Sequence, residues 1–126
     1  MSSSVDAVVL GVGGVGSSAL MHLAKRGAQV VGFEQHGVAH DRGSSHGGTR
    51  VIRKAYGEGV AYVPLLVRAY ELWRELERDS GASLLHLVGC LNLGPREHPF
   101  IRGVIESAQK HSLPHEVLDA AAVHER

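Results

Sequence analysis

The stretch Val8-Val9-Leu10-Gly11-Val12-Gly13-Gly14-Val15-Gly16, followed by the helical run to Lys25, decides how this chain begins. Val8, Val9 and Leu10 read as a buried strand. Gly11 lets the backbone turn sharply, Gly13 leaves its backbone open to a phosphate, and Gly16 lets the next helix lie close to the strand. The helix is expected over 15–25, with Ala19, Leu20, Leu23 and Ala24 on its apolar side. Gly27 sits where a left-handed cap would end it. A second strand is expected over 29–33, so Glu34 falls at its C-terminal end, where a carboxylate can accept hydrogen bonds from a ribose diol. Strand, glycine turn, helix, strand and acid in this order point to an adenine-dinucleotide site.

Composition narrows the class. The chain has 126 residues, 44% hydrophobic and 21% charged, which are globular values for one small domain. Thirteen Lys and Arg balance thirteen Asp and Glu, so no charge excess points to nucleic acid or to an anionic membrane. Apolar runs are short and interrupted by glycine, too short for a transmembrane helix. The start, Met1-Ser2-Ser3-Ser4-Val5-Asp6, lacks the basic and long apolar regions of a secretory signal, and a cytoplasmic location is expected. Cys90 is the single cysteine; it cannot form an internal disulfide and reads as a small residue buried in a strand.

Beyond Glu34, residues 35–49 form a long polar, glycine-rich loop, and loops of that length are functional or disordered. His36, His40 and His46 lie in it without a cysteine partner or helical spacing, so no metal site is expected. The run 50–56 fits strand or helix. If helical, it places Arg50 and Arg53 on one face; if extended, on opposite faces. Pro64 opens a helix expected to Asp79, with Leu65, Ala69, Leu72, Trp73 and Leu76 as a core stripe and Gly81 as its cap. Segments 84–88 and 90–93 read as two short strands around Gly89. Pro99 opens a helix to about His111, residues 115–118 read as a last strand, and Asp119 reads as an N-cap before Ala120-Ala121-Ala122. No clear third β-α-β strand follows, so the chain reads as the front piece of a longer protein.

The run Gly43-Ser44-Ser45-His46-Gly47-Gly48-Thr49-Arg50-Val51-Ile52-Arg53, continuing through Lys54-Ala55-Tyr56-Gly57-Glu58-Gly59, resembles the flavin-dependent N-methyl amino acid oxidases. That group includes monomeric sarcosine oxidase, N-methyltryptophan oxidase and the sarcosine/pipecolate oxidases. Tyr62-Val63-Pro64-Leu65, the Glu71-Leu72-Trp73 core and the 89–94 segment extend the likeness over nearly the whole chain. The resemblance implies an α/β fold: the N-terminal part of a Rossmann-like FAD-binding fold over 1–60, then the start of a mixed α+β substrate domain over 61–126. It implies FAD as cofactor, and oxidation of a C–N bond with oxygen as acceptor, giving imine or aldehyde and hydrogen peroxide.

Residue by residue, the resemblance implies that Gly11, Gly13, Gly14, Val15 and Gly16 hold the pyrophosphate, and that Glu34 with Gln35 meets the ribose. It implies that Ser44, Ser45 and His46 pass along the flavin, that Thr49 and Arg50 lie close to its ring as catalytic residues, and that Arg53 binds the substrate carboxylate. His46 alternatively makes a structural hydrogen bond within its loop, and Tyr56 reads as packing. The implied partners are a small amino acid and oxygen, together with a missing C-terminal part or partner chain that completes the sites. Read without the resemblance, the glycine turn also suits an NAD(P)-dependent dehydrogenase or a non-catalytic dinucleotide-binding piece.

Overall fold

The computed structural model describes residues 4–125. Met1, Ser2 and Ser3, read above for a leader, and Arg126 lie outside them. The backbone forms two compact units, one ending at Arg50 and the other beginning at Val51.

In the first unit, β1 (Ala7–Leu10) and β2 (Val30–Phe33) pair in parallel, with Ala7 opposite Val30 and Leu10 opposite Phe33. Helix α1 (Gly14–Lys25) connects them, as the β-α-β reading requires. Gly27, at φ +87°, ends the helix in the left-handed region that favours glycine. Asp6 fixes the register of entry: its carboxylate accepts the Gln29 N–H at 2.8 Å, and its own N–H donates to the Gln29 carbonyl at 2.8 Å. Backbone clearance sets the seat of α1. A Cβ on Gly16 would lie 1.9 Å from the Gly11 carbonyl oxygen, and one on Gly32 would lie 2.5 Å from Leu20 Cδ1. At Gly16 the clash is with backbone, so glycine there lets helix and strand meet closer than any other residue allows, whereas at Gly32 it is with side-chain tips.

The expectation of a buried first strand needs correction. Ala7 and Val9 are half-buried, but Val8 and Leu10 are 52% and 81% exposed. A parallel sheet is buried when helices cover both faces. Within this unit α1 covers one face only, so alternate side chains stay open.

In the second unit, a 3₁₀ turn at Val60–Tyr62 leads into α2 (Val63–Ser80), with Pro64 in the first turn and Gly81 at φ +71° as its cap. Helix α3 (Pro99–Lys110) starts after His98, whose Nδ1 accepts the Phe100 N–H, and the short α4 (Ala120–His124) starts after Asp119, whose carboxylate accepts the Ala122 N–H at 2.9 Å. The core lies where α3 meets the 56–63 segment. Val63, Ser107 and Ala108 are buried there. Ser107 Oγ donates to the Tyr56 carbonyl at 2.6 Å, and His111 Nε2 lies 3.0 Å from the Val60 carbonyl. Gly103 makes the closest approach, since a Cβ would stand 2.1 Å from the Gly57 carbonyl oxygen.

Several expectations fail in this unit. Residues 50–56 are neither helix nor strand. Segments 84–88, 90–93 and 115–118 form no ladder among the described residues. A strand needs a partner for its backbone groups, and side chains satisfy several of these groups instead. Glu77 accepts the Leu84 and Leu85 N–H groups at 2.8 Å each, and Arg74 donates to the Leu85 carbonyl at 3.0 Å while pairing with Glu77 at 2.5 Å. Leu87, Val88, Leu91 and Leu93 are exposed, and so is Cys90, which is therefore not a buried strand residue. Of the α2 stripe, Ala69, Leu72 and Leu76 are half-buried, whereas Leu65 and Trp73 are exposed. Among the described residues, no helix is long and apolar enough to cross a membrane.

Gly103→Ala should destabilise the protein by about 1–3 kcal/mol through overpacking against backbone. Gly48→Ala, where a Cβ meets nothing within 4 Å, should leave the melting temperature nearly unchanged; equal melting temperatures for the two variants would refute the close contact. The Leu85 and Leu84 N–H groups and the Arg74 guanidinium hold the Glu77 carboxyl down at about 2, against an ordinary 4.5. A depressed carboxyl stabilises the fold fully above 4.5 and loses that contribution as pH falls from 4.5 towards 2. Glu77→Gln should therefore flatten the pH dependence of the urea midpoint in that window, and an unchanged slope would contradict the anchor.

Candidate functional site: a dinucleotide cradle and an arginine clamp

The first unit gathers the glycine turn, Glu34 and part of the 35–49 loop. Gly11 turns at φ +87° and its N–H donates to the Phe33 carbonyl at 2.8 Å, tying the end of β1 to the end of β2. Gly13 precedes α1 without a capping side chain, and the first turn holds no acid. A Cβ on Gly13 would meet nothing within 4 Å. The helix therefore presents its first-turn N–H groups and the positive end of its dipole to open space, which suits a phosphate. Gly14 and Val15 form that first turn.

Glu34 closes the same corner. Its Oε2 accepts the Val12 N–H at 2.7 Å, and its Oε1 accepts the Gln35 and His36 N–H groups at 2.7 and 3.2 Å. The Val12 N–H, then the His36 and Gln35 N–H groups and the nearby His40, hold its carboxyl down at about 2 despite partial burial. It stays a carboxylate, an acceptor only, at any ordinary pH. Turn, helix end and acceptor together match the chemical parts of an adenosine diphosphate: an anion beside a diol. The residues present thus fit the adenine half of FAD.

The 35–49 loop is irregular, as its composition indicates. Ser45 is brought against the start of α1: a Cβ on Gly14 would stand 2.7 Å from Ser45 Oγ. Ser44 is exposed beside it. His46 has both its backbone N–H and its Nδ1 on the Gly43 carbonyl. Thr49 is exposed, and its carbonyl accepts from Arg50 Nη1 at 2.7 Å. The Arg50 guanidinium folds back over Gly47, which is at φ +112°. Among the described residues no group of three or more His, Cys, Asp and Glu could hold a metal ion.

Arg53 belongs to the second unit. Its guanidinium lies over the Tyr56 ring at 5.0 Å and the Phe100 ring at 5.7 Å, within cation–π range. Glu58 stands 3.7 Å from its Nη2. The side chain is 31% exposed, so the charge is held in place and still reachable. Phe100 sits at the start of α3, and a Cβ on Gly57 would lie 2.5 Å from its ring, so the Tyr56-Gly57 bend presses that ring into place. A groove of about 820 Å³ opens beside Arg53, lined by Lys54, Leu91, Ile101, Ile105 and Val117 among others.

Sequence reading missed three of these contacts. His40, considered above only for metal binding, lies 3.3 Å from Glu34. Tyr56 packs as expected, but on the charge of Arg53, and Phe100 gave no signal beyond its place after Pro99. A ring beside an arginine across a loop leaves no periodicity to read.

Comparison with known proteins bears on the cofactor. The family described as FAD dependent oxidoreductase matches residues 6–126. Monomeric sarcosine oxidase of Streptomyces avermitilis is 47% identical over 126 residues, all of this chain and 33% of that protein. N-methyl-L-tryptophan oxidase of Citrobacter koseri is 43% identical over 118 residues, 94% of this chain and 32% of that protein. The enzyme of the same name from Yersinia pestis is 40% identical over 121 residues, 96% and 33% respectively. The chain spans about a third of the length of these relatives. The family match selects FAD over a nicotinamide cofactor, and the chain belongs to the FAD-dependent oxidoreductase family.

Proposed function

We propose that this chain is the N-terminal third of an oxidase that acts on the C–N bond of N-methyl or cyclic secondary amino acids, with oxygen as acceptor and imine or aldehyde and hydrogen peroxide as products. The observation that carries this reading is the 47% identity with a monomeric sarcosine oxidase across all 126 residues. Bound FAD would supply the acceptor for the hydride equivalent leaving the amine carbon.

The chain's own residues do the binding and orienting. Gly11, whose own N–H is taken by the Phe33 carbonyl, turns the chain at the pyrophosphate, Gly13, Gly14, Val15 and Gly16 hold that group with backbone N–H groups, and Glu34 with Gln35 receives the ribose. Ser44, Ser45, His46, Thr49 and Arg50 line the flavin, and Arg50 sets a permanent positive charge where negative charge develops. Arg53 binds the substrate carboxylate through two parallel hydrogen bonds. Tyr56 and Phe100 hold its guanidinium between their rings, so little freedom is lost on binding. Its ion pair with the exposed Glu58 is weak, and a substrate carboxylate displaces it readily. Residues 1–60 belong to the FAD-binding domain and 61–126 lead into the substrate domain. The remainder of the protein, or a partner chain, completes both sites.

The test is a flavin spectrum of the whole protein together with peroxide release from sarcosine, N-methyltryptophan and pipecolate. Peroxide from none of them in a flavin-loaded protein would overturn the substrate assignment. In an active protein, Arg53→Ala should raise KM by about ten- to a hundredfold, the worth of a charged hydrogen-bonded pair, with flavin content unchanged. An unchanged KM would remove Arg53 from the site. Gly13→Val fills the space before α1 and should abolish flavin binding; full flavin content would overturn the cradle.

A further inference from the structure

The Glu34 carboxylate is used unevenly. Its Oε1 accepts two N–H groups, that of Gln35 at 2.7 Å and that of His36 at 3.2 Å, and lies 3.3 Å from His40 Nε2. Its Oε2 meets one among the described residues, the Val12 N–H at 2.7 Å. A carboxylate offers about two acceptor sites per oxygen. Oε1 is therefore filled by the protein, and Oε2 keeps one site for a further donor.

His40 Nε2 is placed beside Oε1. Its Nδ1 accepts the Arg42 N–H at 3.0 Å. That bond needs the Nδ1 lone pair, which leaves the ring proton on Nε2, the nitrogen facing Glu34. The His36 ring meets the His40 ring edge-on, with centroids 5.2 Å apart and planes at 78°, and limits its rotation. Both partners are well covered: the His40 side chain is 15% exposed and that of Glu34 12%.

We propose that His40 is a positioning residue for the dinucleotide site, holding Glu34 Oε1 so that Oε2 is the oxygen presented to a ribose hydroxyl. The inference rests on the ribose role given to Glu34 above. The 35–49 loop then does two things at once, passing along the cofactor and bracing the acid at the end of β2.

The experiment uses the full chain in flavin-free form and titrates ADP and 2′,3′-dideoxy-ADP by calorimetry. The ratio of the two dissociation constants reads the diol–carboxylate contact alone, whereas general loosening weakens both nucleotides together. The native protein should prefer ADP by about tenfold. His40→Asn keeps an acceptor for the Arg42 N–H but has no group that reaches Glu34, and should cut the preference to about two- to threefold. His40→Gln carries an N–H donor at the reach of Nε2 and should restore most of it. Glu34→Gln should remove the preference, and adding His40→Asn to it should change the ratio no further.

Equal weakening of both nucleotides by His40→Asn, with the ratio kept, makes His40 structural and overturns the proposal while leaving Glu34 in its role. A full preference in Glu34→Gln overturns the ribose reading itself. Should His40→Asn fail to fold, the His40→Gln ratio decides alone: a native-like ratio supports the donor role, and a collapsed ratio in a folded protein refutes it.

Discussion

The space of one missing side chain governs both units. Gly16 passes the Gly11 carbonyl, and Gly103 passes the Gly57 carbonyl, with no room for a Cβ in either place. In the first unit this contact brings the N-terminus of α1 to the end of β1, beside open space. In the second it seats α3 on the Tyr56-Gly57 bend, and from that seat come the Phe100 ring under Arg53 and the buried hydrogen bond from Ser107. Side-chain chemistry is then added to geometry that backbone clearance has already set.

The irregular segments are held by carboxylates. Glu34 collects the N–H groups of Val12, Gln35 and His36, and Glu77 collects those of Leu84 and Leu85. In each case an acid at the end of an element, or in its last turn, satisfies backbone donors, that of Val12 first for Glu34 and those of the chain that follows for both, and these bonds, with Arg74 at Glu77, hold each well below the ordinary carboxylate range. Loops anchored in this way keep a defined path without a ladder.

The sequence was legible where one local cause acts alone. The order of β1, α1 and β2 followed from apolar runs and glycine positions, and the caps at Gly81 and Asp119 followed from their chemistry. It was illegible where a pattern has two outcomes. Residues 84–88, 90–93 and 115–118 carry the composition of strands, but a strand is a relation between two segments, and composition reports only one of them. The exposure of Trp73 and Cys90 has the same origin, because an apolar stripe shows what can be buried and not what lies against it. Within the candidate site, the glycine turn and the place of Glu34 after β2 were readable as local structure. The approach of His40 to Glu34 was not, since it depends on how an irregular loop folds back on itself.

Gly14 differs from Gly11 and Gly16 in what a side chain there would meet. It needs no left-handed backbone and faces no backbone atom, yet a Cβ there would meet the Ser45 hydroxyl. That hydroxyl is the end of a short side chain and can swing aside. An alanine at position 14 would therefore leave the turn intact and rotate Ser45 to another rotamer. The identity of one helical residue thus selects which way a distant loop hydroxyl points, and the two positions are expected to vary together, as a mechanical pair, rather than one at a time.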